Sequence, residues 1–491
     1  MDISNIANSA ATTGEMGLAD VSALQKALTA GYGTDVAGLS GGGALRIQSL
    51  DKTMQSTIQE NDDFRLFNRL SKQKATATVD EWTEQNGIGG FLGGSTNAET
   101  GIINDASGSY NRRVGLVKFL MTRRQVSLVS TLQNNIADIE AIEYANGALQ
   151  LCTDVEHIMF EGDSTVVPTE FDGIFAQMKQ GVASGQVDGA HIIDVHGGPI
   201  NDIKPLNAAA ATIRGFGNFG KPTDIFMSLS TQADFDNHLD PAFRVSLTNV
   251  ANGGIMIGAP VTGIRTSHGP IKTNDDVFIR DEGQLTPFEC RYPAFAAAQV
   301  ALKPVSVVPG VPANDSGSRF DAAMAGNFQY LVTGVNANGQ SVGVVSAQVA
   351  VGAGQSVSIV ITGSAGGTET GYVVSRNRLN GGAVVVGGVD GTSDFREMMK
   401  IPRAGATTTF VDQNRDIPGT TKAYVLNMTP GQSAIDWRQL MPMIKFPLYP
   451  TNAAVLPWAQ LLFGYLRITK RRHHVVLKNV LPVDAKFRPF N

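Results

Sequence analysis

The 491-residue chain is long enough for roughly two to four domains, and its 42% hydrophobic content excludes wholesale disorder. Only 17% of residues are charged, against roughly 25% in ordinary globular proteins, while Gly fills 54 positions. A net charge of −5 argues against a protein whose main task is gripping phosphate backbones, and a surface so poor in charge is expected to meet protein.

Residues 1–47 are rich in Ala, Gly, Ser and Thr, with a short amphipathic piece at Val21–Ala30, and are expected to form an extended arm. A helical period follows over 48–74, carried by Leu50, Met54, Ile58, Phe64, Phe67 and Leu70. Ala75–Trp82 and Arg113–Leu120 are strand-like. Between them, residues 87–111 hold Gly87-Ile88-Gly89-Gly90-Phe91-Leu92-Gly93-Gly94 and no Lys or Arg. Two strands around such a tip predict a projecting hairpin over 75–120. Its apolar residues Ile88, Phe91, Leu92, Ile102 and Ile103 are candidate intersubunit contacts, since an exposed apolar tip needs a partner to cover it.

Thr131 to Glu161 carries the longest helical pattern, through Leu132, Ile136, Ile139, Ile142, Leu149, Cys152, Val155 and Met159. It predicts a helix roughly 45 Å long, in which Gly147 costs about 1 kcal/mol. Gly162-Asp163-Ser164 ends it. Ala208–Arg214 and Gln232–Leu239 read as short helices, and Asp224–Ser228 as a buried strand. Strand patterns such as Asp276–Arg280 dominate up to residue 300. From 305 to 425 the chain becomes Gly-punctuated β, with runs at Phe328–Val335, Ser341–Val349, Ser356–Thr362, Gly371–Arg376, Glu397–Ile401 and Thr408–Asp412. This spacing predicts an inserted β-sandwich. In the tail, Trp458–Phe463 reads as helix, and Tyr465–Lys470 and His474–Leu477 as strands.

Chemistry-bearing motifs are few. Gly215-Phe216-Gly217-Asn218-Phe219-Gly220-Lys221-Pro222 satisfies G-x-G-x-x-G and nearly satisfies a phosphate loop. Here, however, a helix precedes and a strand follows, the reverse of what phosphate binding needs. Pro222 also replaces the hydroxyl that would hold Mg²⁺. A helix–turn–strand connection is expected. His157, His191, His196, His238, His268, His473 and His474 form no metal spacing, and no nucleophile elbow occurs, so no enzyme and no cofactor are expected.

Cys152 and Cys290 leave one long-range disulfide open, though a reducing compartment fits better. No apolar run of about 18 residues predicts a membrane span, and Met1-Asp2-Ile3-Ser4 does not open a signal peptide, so a cytosolic product is expected. Two basic clusters remain, Arg112-Arg113 through Arg123-Arg124 and Lys470-Arg471-Arg472. They are candidate interior or intersubunit residues, expected as solvated faces or ion pairs with a neighbour's acids before nucleic-acid contacts, and the lack of interleaved aromatics weakens single-strand binding further.

The order of arm, helix, Gly-rich hairpin, long helix, mixed domain and late return to strands resembles the major capsid proteins of tailed bacteriophages. These have an α+β fold, the Hong Kong 97 shell fold. The carriers are Ala77-Thr78-Val79-Asp80-Glu81-Trp82-Thr83-Glu84, Glu156-His157-Ile158-Met159-Phe160-Glu161-Gly162-Asp163 and Phe171-Asp172-Gly173-Ile174. Pro222-Thr223-Asp224-Ile225-Phe226-Met227-Ser228 and His474-Val475-Val476-Leu477-Lys478-Asn479-Val480 complete the set.

The resemblance implies an arm (1–47), an N-terminal helical segment (48–74) and an extended-loop hairpin (75–120). A spine helix with peripheral and axial domains (121–300) follows. After the insertion (301–430), the core is rejoined at 431–491. Through Tyr330–Ser341 and Gly371–Arg376, the insertion itself resembles an immunoglobulin-like or fibronectin-type module.

The resemblance further implies hexamers and pentamers of an icosahedral head in the virion, around loosely contacted double-stranded DNA. A portal and a decoration protein are partners it allows. With only about 47 residues before the first core-like helix, a separate scaffolding protein is expected. Residues 83–111 contain no Lys, so a loop Lys–Asn crosslink is not expected there. The rival readings are a tail, fibre or adhesin subunit, and a nucleotide-using enzyme with a β-sandwich accessory domain.

Overall fold

A computed structural model describes residues 63–103, 105–132, 138–200, 202–238, 261–280, 301–386, 394–429, 431, 434–450, 453–483, 485 and 487–490. All of these except Asp138 belong to one compact unit. The expected arm at 1–47, the helical positions Leu50, Met54 and Ile58, the strand patterns from 281 to 300, and Cys290 lie outside the described residues.

Among the described residues, the helical period before residue 74 appears as the short helix Arg65–Arg69. The backbone turns extended at Leu70, and Lys72–Lys74 forms a strand, not helix, running parallel to Trp437–Gln439. Tertiary partners decide this switch. Glu156 accepts the N–H groups of Leu66 and Phe67 at 2.6 and 2.8 Å, which satisfies orphan donors at the helix start. Past the helix, Ala75 donates to Gln439 O at 2.8 Å and keeps the chain on the sheet edge.

The long helix runs over Ile139–Glu161, 23 residues and about 34 Å, shorter than expected. A separate turn of helix occupies Leu128–Leu132, and residues 133–137 lie outside the description. Gly147 is a close-approach site and no flaw in the helix. A Cβ there would fall 2.1 Å from Gln460 Oε1, and the same side chain donates to Tyr144 O at 2.7 Å. The helix buries Leu151, Val155, Ile158, Met159 and Phe160 in the main core.

Beside the helix is a four-stranded sheet, ordered Lys72–Lys74, Ile435–Pro447, Val455–Ile468, Lys118–Ser127. The expected helix at Trp458–Phe463 is instead the middle of the Val455–Ile468 strand. Trp458, Gln460 and Leu462 are buried while Ala459, Leu461 and Phe463 are half-buried, a period of two. A central strand covered on both faces reads as a continuous apolar run, which periodicity cannot separate from helix.

The six-stranded sheet gathers distant segments in the order Ile192–Asp194, Val475–Val480, Thr421–Leu426, Asp224–Met227, Gly269–Asp275, Gly263–Thr266. The helix Lys204–Arg214 packs Leu206, Ala209, Ala210 and Ile213 into its core. The helix Leu229–His238 follows the buried strand at Asp224. Asp276–Arg280, expected as strand, is a turn: Asp276 Oδ1 accepts the Phe278 N–H at 2.9 Å and bends the chain.

Between the Gly269–Asp275 and Thr421–Leu426 strands lies an all-β unit of two facing sheets. One contains Ser306–Pro309, Gln355–Thr362 and Thr407–Asp412, and the other Tyr330–Asn336, Gly371–Arg376 and Arg396–Pro402. Val307, Val357, Ile359 and Ile361 from the first meet Tyr330, Val332, Tyr372 and Val374 from the second, which makes it a sandwich. The Ser341–Val349 run yields only the short strand Val344–Val345 and the start of Val349–Val351. Inside, fully buried Arg376 lies over the Phe320 and Phe328 rings. It pairs with Asp412 at 2.6 Å, to which Tyr330 also donates.

Candidate assembly surface

The two expected strands form an antiparallel hairpin, Val79–Gly87 with Ser109–Leu116, in the register Val79↔Leu116, Glu81↔Val114 and Thr83↔Arg112. Its faces alternate. Asp80, Trp82 and Glu84 turn inward, while Val79, Glu81, Thr83 and Gln85 are exposed.

The inward face is fastened at its root. Asp80 accepts two hydrogen bonds from Arg438, at 2.8 and 3.0 Å, and one from Tyr465 Oη at 2.6 Å, with Arg467 3.9 Å away. Burial works to raise this carboxyl's pKa. The hydrogen bonds and the charges of Arg438 and Arg467 outweigh burial and hold it below its ordinary 3.8. Gly115 lets the partner strand lie against the same tyrosine, since a Cβ there would fall 2.3 Å from the Tyr465 ring. At the neck, Arg472 donates to Asn86 O at 3.1 Å and to Gln186 O at 3.0 Å. Gly89, at φ +83, leaves no room for a Cβ beside Ser107 O.

The tip beyond this neck has no such support. Ile88, Phe91, Leu92, Ile102 and Ile103 are each between 73% and 89% exposed. The exposed apolar surface continues toward the root through Tyr110, Val114 and Leu116, then onto Phe119 and Met121 of the next strand.

The basic residues do not form one patch. Arg112 pairs with Glu81 across the hairpin, and Arg113 reaches Glu84 at 3.2 Å. Arg124 binds Glu143 at 3.3 Å and Gln150 at 2.8 Å, tying its strand to the long helix, and exposed Arg123 touches Gln125. Arg471 sits where burial and the charge of Arg113 depress its pKa. The structure therefore engages most of these cations within the chain.

The Gly215–Pro222 segment is a turn between the Lys204–Arg214 helix and the Asp224–Met227 strand, as expected. His191, His473 and His474 cluster beneath it, and burial lowers the pKa of all three, that of His474 to about 3. Among the described residues no group of His, Cys, Asp and Glu could hold a metal ion, and no helix is long and apolar enough to cross a membrane.

Sequence reasoning missed the root anchors Asp80, Arg438, Tyr465 and Gly115. The available signal was phase: Asp80 and Glu84 share the inward phase of a strand with Trp82, where a charge needs a partner.

No protein-family model matches the chain. It is 25% identical over 474 residues to the major capsid protein of Staphylococcus phage K, covering 93% of this chain and 94% of that one. It is likewise 25% identical over 464 residues to the major capsid protein of Staphylococcus phage S25-3, with the same coverage. Along nearly its whole length this chain is similar to phage major capsid proteins. A solved structure from Gordonia phage Cozz overlaps it at 10% identity and a TM-score of 0.41, covering 91% of this chain and 95% of that one. That overlap is too loose to carry an argument. The α+β order of hairpin, long helix, inserted sandwich and returning tail strands is the order expected from the sequence patterns. The chain's role is structural, and its place is the capsid of a virion.

Proposed function

We propose that the hairpin of one subunit lies across its neighbour, and that copies close into hexamers and pentamers of an icosahedral head enclosing double-stranded DNA. One observation carries this reading: five exposed apolar side chains on a hairpin whose root is pinned by Asp80, Arg438 and Tyr465. A tip without a core is held out rigidly enough to reach another subunit. Covering five such side chains yields on the order of 10 kcal/mol before ordering costs.

In this reading the four-stranded sheet and long helix make the peripheral domain, the six-stranded sheet the axial domain, and the sandwich an immunoglobulin-like insertion. No catalytic step is involved. The intrachain pairing of Arg112, Arg113, Arg124 and Arg472 supports only loose contact with DNA. A separate scaffolding protein and a portal complete the set of partners, with a decoration protein as a further one, and assembly takes place in the host cytoplasm.

Deleting residues 88–108 tests the reading. The shortened subunit should fold, with unchanged circular dichroism, yet give no closed shells by electron microscopy. Normal shells from the deleted chain would refute the hairpin's role.

A further inference from the structure

The turn Gly215–Gly220 holds two aromatic rings in solvent. Phe216 is 83% exposed and Phe219 66%, and the rings meet edge to face with centroids 5.7 Å apart. Phe219 stands at φ +52, a left-handed backbone that a bulky side chain rarely adopts, so the surroundings must hold it there.

They do. Asn218 Nδ2 donates to Thr212 O at 2.8 Å, and Gly220 N donates to Ile213 O at 2.9 Å. Gly220 packs so closely that a Cβ would lie 2.7 Å from the Ile213 side chain and 3.0 Å from the His473 ring. Beneath the turn, His191 Nε2 lies 3.0 Å from Arg472 O and 3.4 Å from Asn218 Nδ2.

Arg472 is also the residue that holds Asn86 at the hairpin neck, 3.1 Å from its carbonyl. The aromatic turn and the assembly hairpin therefore share one base.

We propose that Phe216 and Phe219 form an aromatic finger that docks on a second copy of this chain, the same neighbour that the hairpin covers. This rests on the assembly reading of the hairpin. The finger is a rigid anchor: its strain is already present in the free subunit, so little freedom is lost on contact. Nothing about it requires a nucleotide, because the turn opens onto a strand and not onto a helix N-terminus.

The test uses the full chain under assembling conditions. A photo-crosslinking benzoylphenylalanine at position 216 should capture a second copy of the chain. Capture of a different protein, or no capture while shells form, overturns the proposal. In parallel, the double variant Phe216→Ser with Phe219→Asn removes both rings, and Asn tolerates the left-handed backbone. Its melting temperature should stay near that of the wild type while shell yield falls about tenfold or more. Shell yield equal to wild type overturns the finger alone. The same crosslinker at position 91 separates the two ideas: if neither 91 nor 216 captures a second copy, the assembly reading fails with it.

Discussion

Replacing Asp80 by Ala removes the fastening of the hairpin. The carboxylate accepts two hydrogen bonds from Arg438 and one from Tyr465, and its side chain is 9% exposed. Truncating one partner of a buried pair costs about 3–5 kcal/mol, because the other charge is left uncompensated. Some compensation survives. Arg467 keeps Asp436 at 2.5 Å, and Arg438 keeps Gln73 at 3.2 Å. The lower end, about 3 kcal/mol, is therefore expected.

Urea unfolding of the unassembled subunit measures the global loss. Amide exchange over 79–87 and 109–116 measures the local one, expected to speed up by about a hundredfold. The sign of the pH dependence follows from the depressed pKa. The stabilisation is complete above the unfolded-state value of 3.8 and is lost as pH falls through the lower folded-state value. Asp80→Asn should abolish that acid dependence. A loss under about 1 kcal/mol with unchanged hairpin exchange would refute the anchoring argument.

Three further outcomes are expected. Glu156 and Asp276 form a buried carboxyl pair: burial first, then the Asp276 charge, raises Glu156 well above 4.5, and burial raises Asp276 to about 7. Folded-state pKa values above the unfolded ones make stability fall as pH rises through about 4 to 7. Asp276→Asn should flatten that slope in melting temperatures recorded against pH, and an unchanged slope would contradict the pairing. Gly147→Ala, which helix propensity alone scores as a gain of about 1 kcal/mol, should instead cost about 1–2 kcal/mol in urea unfolding, because the new methyl meets buried Gln460. In the sandwich, Arg376→Ala strands Asp412 at full burial and should cost about 3–5 kcal/mol by denaturant unfolding. Arg403→Ala removes the partly exposed partner of Glu369, which keeps hydrogen bonds from Ser364 and Tyr372, and should cost clearly less in the same assay.

The hairpin was legible because its signal is local. Strand composition on either side of a Gly-rich, cation-free tip needs no knowledge of the rest of the chain, and the antiparallel pairing of Val79–Gly87 with Ser109–Leu116 follows from it. The sandwich was legible for the same reason, through turn residues at short spacing. Trp458–Phe463 was misread because apolar residues fall on both faces of this strand, so its sequence lacks the alternation that marks strands although its burial alternates. Asp276–Arg280 was misread because one side-chain acceptor, Asp276 Oδ1, converts an apparent alternation into a turn. The strand phase of Asp80 hinted at a buried partner, but the partners themselves were not legible, since Asp80 lies 358 residues from Arg438 and 385 from Tyr465.

By itself, then, the sequence determined the class of the protein. Low charge, a Gly-rich apolar tip and the order of helix and strand patterns already described a subunit built to meet other subunits, because these are properties of composition and local period. The tertiary structure decided which residues hold that tip in place, where Gly147 and Gly115 are required, and that the turn at 215 holds Phe216 and Phe219 in solvent. Each of these depends on contacts between segments hundreds of residues apart, and local period carries no information about such contacts.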